Sequence, residues 1–282
     1  MTTALVLGGG FCGLLTATVL SKYFDVVKVI ERSARHKSVP QQHHIHVLQV
    51  KGLQVIEQLI PGIQAEMLEA GAIKVRWTQD TTILLSGGTI IPRIDVGIYS
   101  LALSRHALEA VIYKQVTQLA KVEFLFRSRV DYLQQEGSKI MAVQMTNLNS
   151  HESQMLACDF IADCTGRQSK SLNWLQQLGY QKPQVTEINA FLGYESRFYR
   201  VAEGYDMGSL GIAVQPLSQV LPNLCQFRML RIVLSIVSLF PRFMVFGRII
   251  ALFTTIKCLS FPIIMSFLAM LYAILIQCMV KA

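Results

Sequence analysis

An α/β fold built on a parallel sheet is what this 282-residue sequence predicts, and three observations carry the prediction. The N-terminal stretch "TALVLGGGFCGLLTATVLSKYFDVVKVIERS" reads as strand, glycine turn, helix and strand. Beyond it, apolar runs of strand length alternate with segments of helical period as far as about residue 182. That alternation is how βαβ units look in one dimension. The chain then changes character and ends in an apolar tail expected to be helical.

Ala4–Leu7 is an apolar run too short for a helix and suited to a strand buried on both faces. Gly8, Gly10 and Gly13 form G-x-G-x-x-G. In such a motif the first glycine permits a tight turn and the second lets a pyrophosphate reach the backbone. The third lets helix and strand pack closely, and the helix N-terminus offers free N–H groups to the phosphates. Leu14–Tyr23 carries the helical pattern, and Val26–Ile30 is a second strand that ends at Glu31, 18 residues after Gly13. A carboxylate there can accept hydrogen bonds from ribose hydroxyls, which favours FAD or NAD over NADP. The segment is thus Rossmann-like and designed for a dinucleotide.

Val47–Ile60 has helical periodicity, with Leu48, Leu53, Ile56 and Leu59 near one face, and Pro61-Gly62 breaks it. A second short helix runs to about Ala70, where Gly71 stops it. Residues 73–103 read as short strands with turns at Gly87-Gly88 and Pro92. Ser104 is a candidate cap for a helix through Ala120, and Val122–Phe126 returns as a strand. Two alternating segments around "QEGS" predict a hairpin, and "LACDFIADCTGRQS" predicts one strand running into a turn at Thr165-Gly166.

The net charge of +8 is not a nucleic-acid signal. All 18 acidic residues lie at or before Asp206 with 20 of the basic ones, so the excess belongs to the tail. No basic stripe with interleaved aromatics is present. Cys12, Cys158, Cys164, Cys225, Cys258 and Cys278 form no C-x-x-C pair and no zinc-like spacing, so reduced thiols in a cytoplasmic protein are expected. The apolar N-terminus lacks the positive flank of a signal peptide.

The order of these segments resembles the FAD-dependent monooxygenases of the aromatic-hydroxylase type, which include 2-polyprenyl-6-methoxyphenol hydroxylases and squalene epoxidase relatives. The likeness runs from about Thr3 to about Gly204. It is carried by "VLGGGFCG" with "VIERS", by "VPQQHHIHVLQVKGLQVIEQLIPGIQAEMLEAGA", "LSRHALEAVI", "DFIADCTGRQS" and "WLQQLGY". The resemblance implies a glutathione-reductase-type FAD-binding fold in which Gly8, Gly10 and Gly13 hold the pyrophosphate. It also places Glu31 at the ribose, Arg32 among the cofactor-binding residues and Arg105 near the ribityl–phosphate region, with Asp163 and Gly166 in a second nucleotide-proximal turn. It implies NAD(P)H as electron donor and an aromatic or isoprenoid small-molecule substrate. Two plainer roles stay open: Arg105 as a solvated first-turn residue and Asp163 as a turn former.

"VPQQHHIH" places His43, His44 and His46 between the ribose strand and the next helix. In an extended loop His44 and His46 point one way and His43 the other. A metal site needs converging partners, and no distant set has the spacing, so no metal is expected. Lining of the cofactor or substrate pocket, with His44 as the candidate contact, stands beside a solvated structural role. The family's later G-D turn is missing, because no G-D dipeptide occurs in the chain. Residues 1–182 are expected to form the FAD-binding domain, with 73–103 an excursion to the substrate sheet. Residues 183–222 would form a partial substrate domain and 223–282 the tail. Cys258–Val280 is 23 residues without a charge, long enough to span a bilayer. Two readings of the tail compete: a membrane anchor, or sequence foreign to the family produced by truncation or a frame change, leaving a catalytically incompetent remnant.

Overall fold

The structure, a computed structural model, describes residues 1–34, 48–85, 88–181, 183–188 and 208–214, with the backbone alone of 196–200 and 249–253. His43, His44 and His46 lie outside the described residues, as does 258–280. Among the described residues no helix is long and apolar enough to cross a membrane.

The first compact unit comprises 1–79 and 94–184. Its centre is a parallel four-stranded sheet of β1 (Thr3–Leu7), β2 (Val26–Glu31), β6 (Val122–Phe126) and β10 (Phe160–Asp163), in the order β10-β1-β2-β6. Ala4 pairs with both Val27 and Phe160, so β1 is central although its two neighbours lie far apart in sequence. The residues of β1 alternate between two cores. Ala4 and Val6 face helices α1 (Phe11–Leu20), α2 (Val50–Leu59), α3 (Ile63–Glu69) and α5 (Arg105–Val116), with Leu14, Ala17, Leu53, Ile56, Ile63, Met67, Leu108 and Ile112 buried against them. Leu5 and Leu7 face the other way, onto Val130, Leu133, Val143, Met145 and Trp174. A strand buried on both faces needs apolar residues at every position, and "ALVL" supplies them.

The second face is covered by an antiparallel sheet of β7 (Ser128–Glu136), β8 (Lys139–Asn147) and β9 (Ser153–Ala157), with α6 (Ser171–Gln177) beside it. Gly137, at φ +60°, closes the β7–β8 hairpin expected from "QEGS". The Trp174 indole N–H donates to the Asp131 carbonyl at 3.0 Å, so this large side chain buries its ring without stranding its donor.

Three expectations are corrected in detail. "LACDFIADCTG" is two strands, not one. β9 ends at Ala157 as the edge of the antiparallel sheet, and β10 restarts at Phe160 in the parallel sheet. The switch is made at Cys158-Asp159, where Asp159 accepts from the Thr3 N–H at 2.7 Å. Helix α5 stops at Val116 rather than Ala120. The 73–103 stretch contains a helical turn, α4 (Trp77–Asp80), between β3 (Ile73–Arg76) and β4 (Thr81–Leu84). β3 pairs antiparallel with β5 (Tyr99–Ala102) within the first unit.

The second unit comprises 80–93 and 185–282. There β4 pairs in parallel with Gly211–Val214, and the Arg93 guanidinium donates to the Gly208 carbonyl at 2.7 Å and to Thr82 Oγ1 at 2.8 Å. The backbone of Ser196–Arg200 pairs antiparallel with Ile249–Phe253.

Ser104 caps α5 as its sequence position predicts: its Oγ accepts from the Ala107 N–H at 3.1 Å. Ser104→Ala is expected to destabilise the chain by about 1 kcal/mol, read as a lower urea midpoint with an unchanged slope.

Candidate nucleotide-binding site

The glycine turn is forced by sterics. Gly8 leaves β1 at φ +99°, a conformation that side chains oppose, and its N–H donates to the Ile30 carbonyl at 2.8 Å. A Cβ on Gly13 would lie 1.9 Å from the Gly8 carbonyl oxygen, so α1 can start here only with glycine at that position. Gly10 differs from both. A Cβ there would meet nothing within 4 Å, and its φ of −76° suits any residue. The protein itself does not require glycine at 10; the free space in front of the helix start does not come from a packing constraint.

Helix α1 begins without a side-chain cap and without an acidic residue in its first turn. Its leading N–H groups are therefore neither capped by a side chain nor faced by a carboxylate within the turn, and the positive end of the helix favours an anion. Glu31 stands beside this turn at the end of β2. One carboxylate oxygen accepts from the Gly9 N–H at 2.7 Å, the other from the Ser33 N–H at 2.7 Å. Two backbone donors fix the carboxylate in place, and each oxygen keeps acceptor capacity for hydroxyl donors.

Arg105 is the first residue of α5, yet it reaches the same end of the sheet. Its guanidinium lies 4.7 Å from the centroid of the Phe11 ring, at the first residue of α1, and its Nε donates to Glu109 at 2.7 Å. Arg32 is exposed in the bend after β2. His44 is outside the described residues.

Asp163 and Gly166 come to the glycine turn because β10 runs beside β1. Leu7 is paired with Asp163, and the Cys164 N–H donates to the Leu7 carbonyl at 2.8 Å. A Cβ on Gly8 would press to 2.8 Å against the Cys164 carbonyl oxygen, so the two turns touch through backbone. The Asp163 carboxylate collects its own turn: it accepts from the Thr165 N–H at 2.8 Å and from the hydroxyls of Thr165, Ser169 and Ser171. Partial burial pushes its carboxyl up, but the hydrogen bonds from Ser169, Ser171 and Thr165 outweigh this and hold it below the usual carboxylate range. Gly166 has φ +75° and opens a short 3-10 turn.

The structure thus gathers Gly8, Gly10, Gly13, Glu31, Arg105, Asp163 and Gly166 around the ends of β1, β2 and β10. It also shows residues that motif spacing passed over. Gly9 is one: a Cβ there would come 3.2 Å from the Glu31 Cβ. Ser33, Phe11, Glu109, Ser169 and Ser171 are the partners that hold Glu31, Arg105 and Asp163. Of these, only the i,i+4 relation of Arg105 to Glu109 could have been read from spacing. Among the described residues no group of three His, Cys, Asp or Glu side chains could hold a metal ion.

Gly13→Ala is expected to destabilise the fold by at least about 2 kcal/mol in urea melts, whereas Gly10→Ala changes stability by less than about 1 kcal/mol. The Asp163 carboxylate has a depressed pKa when folded. It contributes stability above its unfolded pKa, about 3.9, and that contribution is lost as pH falls through the folded pKa. Melting temperatures followed downward from pH 5 are expected to fall less steeply for Asp163→Asn than for the unmodified chain.

Comparison with known proteins places this geometry. A family model described as an FAD binding domain matches residues 1–192. Protein Rv3254 of Mycobacterium tuberculosis is 27% identical over 217 residues, which is 71% of this chain and 45% of that protein. Among solved structures, p-nitrophenol 4-monooxygenase PnpA from Pseudomonas putida superposes with a TM-score of 0.50 at 18% identity, over 71% of this chain and 47% of PnpA. Pseudomonas aeruginosa PqsL in complex with 2-aminobenzoylacetate gives 0.54 at 18% identity, over 72% of this chain and 52% of PqsL. The two structures share the fold. The chain spans about half the length of the relatives it matches. Over two thirds of its length, the chain belongs to the FAD-binding-domain family.

Proposed function

We propose that this chain binds FAD and serves an FAD-dependent monooxygenase reaction on an aromatic or isoprenoid substrate, with NAD(P)H as electron donor and O2 as co-substrate. The observation that carries the reading is the unobstructed start of α1 at Gly10 beside a Glu31 carboxylate held by backbone N–H groups. In this reading Gly8, Gly10 and Gly13 receive the pyrophosphate, and the α1 N–H groups hydrogen-bond its oxygens. Glu31 accepts from the adenosine ribose, with exposed Arg32 next to it. Arg105, fixed over Phe11, places a positive charge near the ribityl–phosphate region, and the Asp163–Gly166 turn borders the same region. His44 would line the flavin side. The flavin, when bound, supplies the oxygen-transfer chemistry; the protein contributes position, exclusion of water and electrostatics. An aromatic substrate is in keeping with p-nitrophenol 4-monooxygenase, to which the chain is similar in fold.

The reading is tested by titrating FAD into the full chain. Gly10→Val is expected to stay folded and lose FAD binding, because its Cβ meets no protein atom and its side chain occupies the path of the pyrophosphate. Glu31→Ala is expected to weaken binding by about 1–3 kcal/mol. Identical titration curves for the unmodified chain and Gly10→Val would falsify the assignment. Anaerobic bleaching of the bound flavin by NADH or NADPH tests the donor.

Membrane association through 258–280 is a proposal on sequence alone, from its 23 uncharged residues. The full chain is then expected in the membrane fraction after carbonate washing, and a monomer free in the soluble fraction without detergent overturns it.

A further inference from the structure

Cys12 and Cys164 are separated by 152 residues, yet their sulfurs lie 3.6 Å apart. Cys12 stands on the first turn of α1, inside the glycine motif, and is exposed among the described residues. Cys164 follows Asp163 at the end of β10 and is half-buried, with its sulfur 3.5 Å from Thr16 Oγ1. The third described thiol, Cys158, is buried, and that burial pushes its pKa up to about 11. The pair therefore joins the two turns that border the nucleotide site, and one of its sulfurs is open to solvent.

We propose that Cys12 and Cys164 form a reversible dithiol–disulfide switch that is closed by a peroxide and that, when closed, lowers the affinity of the adjacent site for FAD. The second half rests on the FAD reading given above; the first does not. In the closing reaction the Cys12 thiolate attacks one oxygen of hydrogen peroxide. The O–O bond breaks, an S–O bond forms, and the departing hydroxide is protonated to water. Cys164 then attacks the Cys12 sulfenic sulfur, the S–S bond forms, and the S–O bond breaks with loss of a second water. Two thiols and one peroxide give one disulfide and two waters, with two electrons passing from sulfur to oxygen. Burial pushes the Cys164 thiol up, which leaves exposed Cys12 as the sulfur that meets the oxidant first. A dithiol reductant reverses the closure by exchange.

Closure has a geometric consequence. A disulfide requires an S–S distance of about 2.0 Å, so the sulfurs must approach by roughly 1.6 Å. Cys164 is tied by its backbone to Leu7, and Cys12 is carried on the helix start. The part of the approach that side-chain rotation does not supply displaces the N–H groups of the first turn of α1 from the positions a pyrophosphate needs.

The test uses the full reduced chain, treated with a small excess of hydrogen peroxide. Non-reducing peptide mapping by mass spectrometry is expected to find the Cys12–Cys164 peptide pair lighter by two hydrogens, lost on adding dithiothreitol and absent from Cys12→Ser. FAD titration of the oxidised chain is expected to give a dissociation constant about tenfold or more higher than that of the reduced chain, the size of one lost hydrogen bond to a charged group. Oxidised and reduced Cys12→Ser are expected to give equal constants. Cys12 found as sulfinic acid, or linked to another cysteine, overturns the proposal. A Cys12–Cys164 disulfide with unaltered FAD affinity overturns the switch. A disulfide that forms in a chain whose reduced form takes up no FAD leaves the thiol pair established and overturns the nucleotide reading instead.

Discussion

The contact on which the rest depends is the approach of α1 to the end of β1. With glycine at 13 the helix starts directly above the Gly8 carbonyl, where a Cβ would have to sit 1.9 Å from that oxygen. This closeness aims the helix N-terminus at the space beyond the strand. It also brings Leu14 and Ala17 onto Ala4 and Val6, so the packing of the first βαβ unit and the polarity of the site arise from one steric condition. The second half of the site follows from β10 lying against β1. Backbone contact between Gly8 and Cys164 sets the Asp163 turn beside the glycine turn with no side chain between them.

The glycine turn, both flanking strands and Glu31 were legible in the sequence because their requirements are local and steric. Gly8 needs a positive φ, Gly13 needs the absence of a Cβ, and the apolar run "ALVL" has no polar face. Ser104 was legible for a similar reason, since a capping oxygen is needed where α5 begins. The change of sheet at Cys158-Asp159 was not legible. No glycine or proline marks it, and at this point Asp159 turns to the Thr3 N–H, a partner 156 residues away. Nor could spacing single out Gly9 within "GGG", because its role depends on where Glu31 arrives. The proximity of Cys12 to Cys164 depends on strand order and leaves no trace in the sequence pattern.

Charged groups at the site are held rather than loose. Glu31 is gripped by backbone at Gly9 and Ser33, Arg105 by Glu109 and the Phe11 ring, and Asp163 by three hydroxyls and an N–H. Fixing a side chain before a ligand arrives removes part of the ordering cost from the binding step. Asp163 in particular has its carboxylate engaged by Thr165, Ser169 and Ser171 within its own turn.

The central position of β1 has a further consequence, for the way the chain acquires its structure. β1 is made long before β10, its outer neighbour, which is among the last parts of the first unit to be synthesised. Joining Thr3 to Asp159 closes a loop of 156 residues, an entropic cost of about 4–5 kcal/mol that no local contact repays. Until β10 emerges from the ribosome, one edge of β1 is unpaired, and Trp174, part of the cover over Leu5 and Leu7, is still to be made. The pairing of the Asp163 turn with the glycine turn is therefore finished late, and the waiting strand edge is where a nascent or destabilised chain is most exposed to wrong pairing with its neighbours.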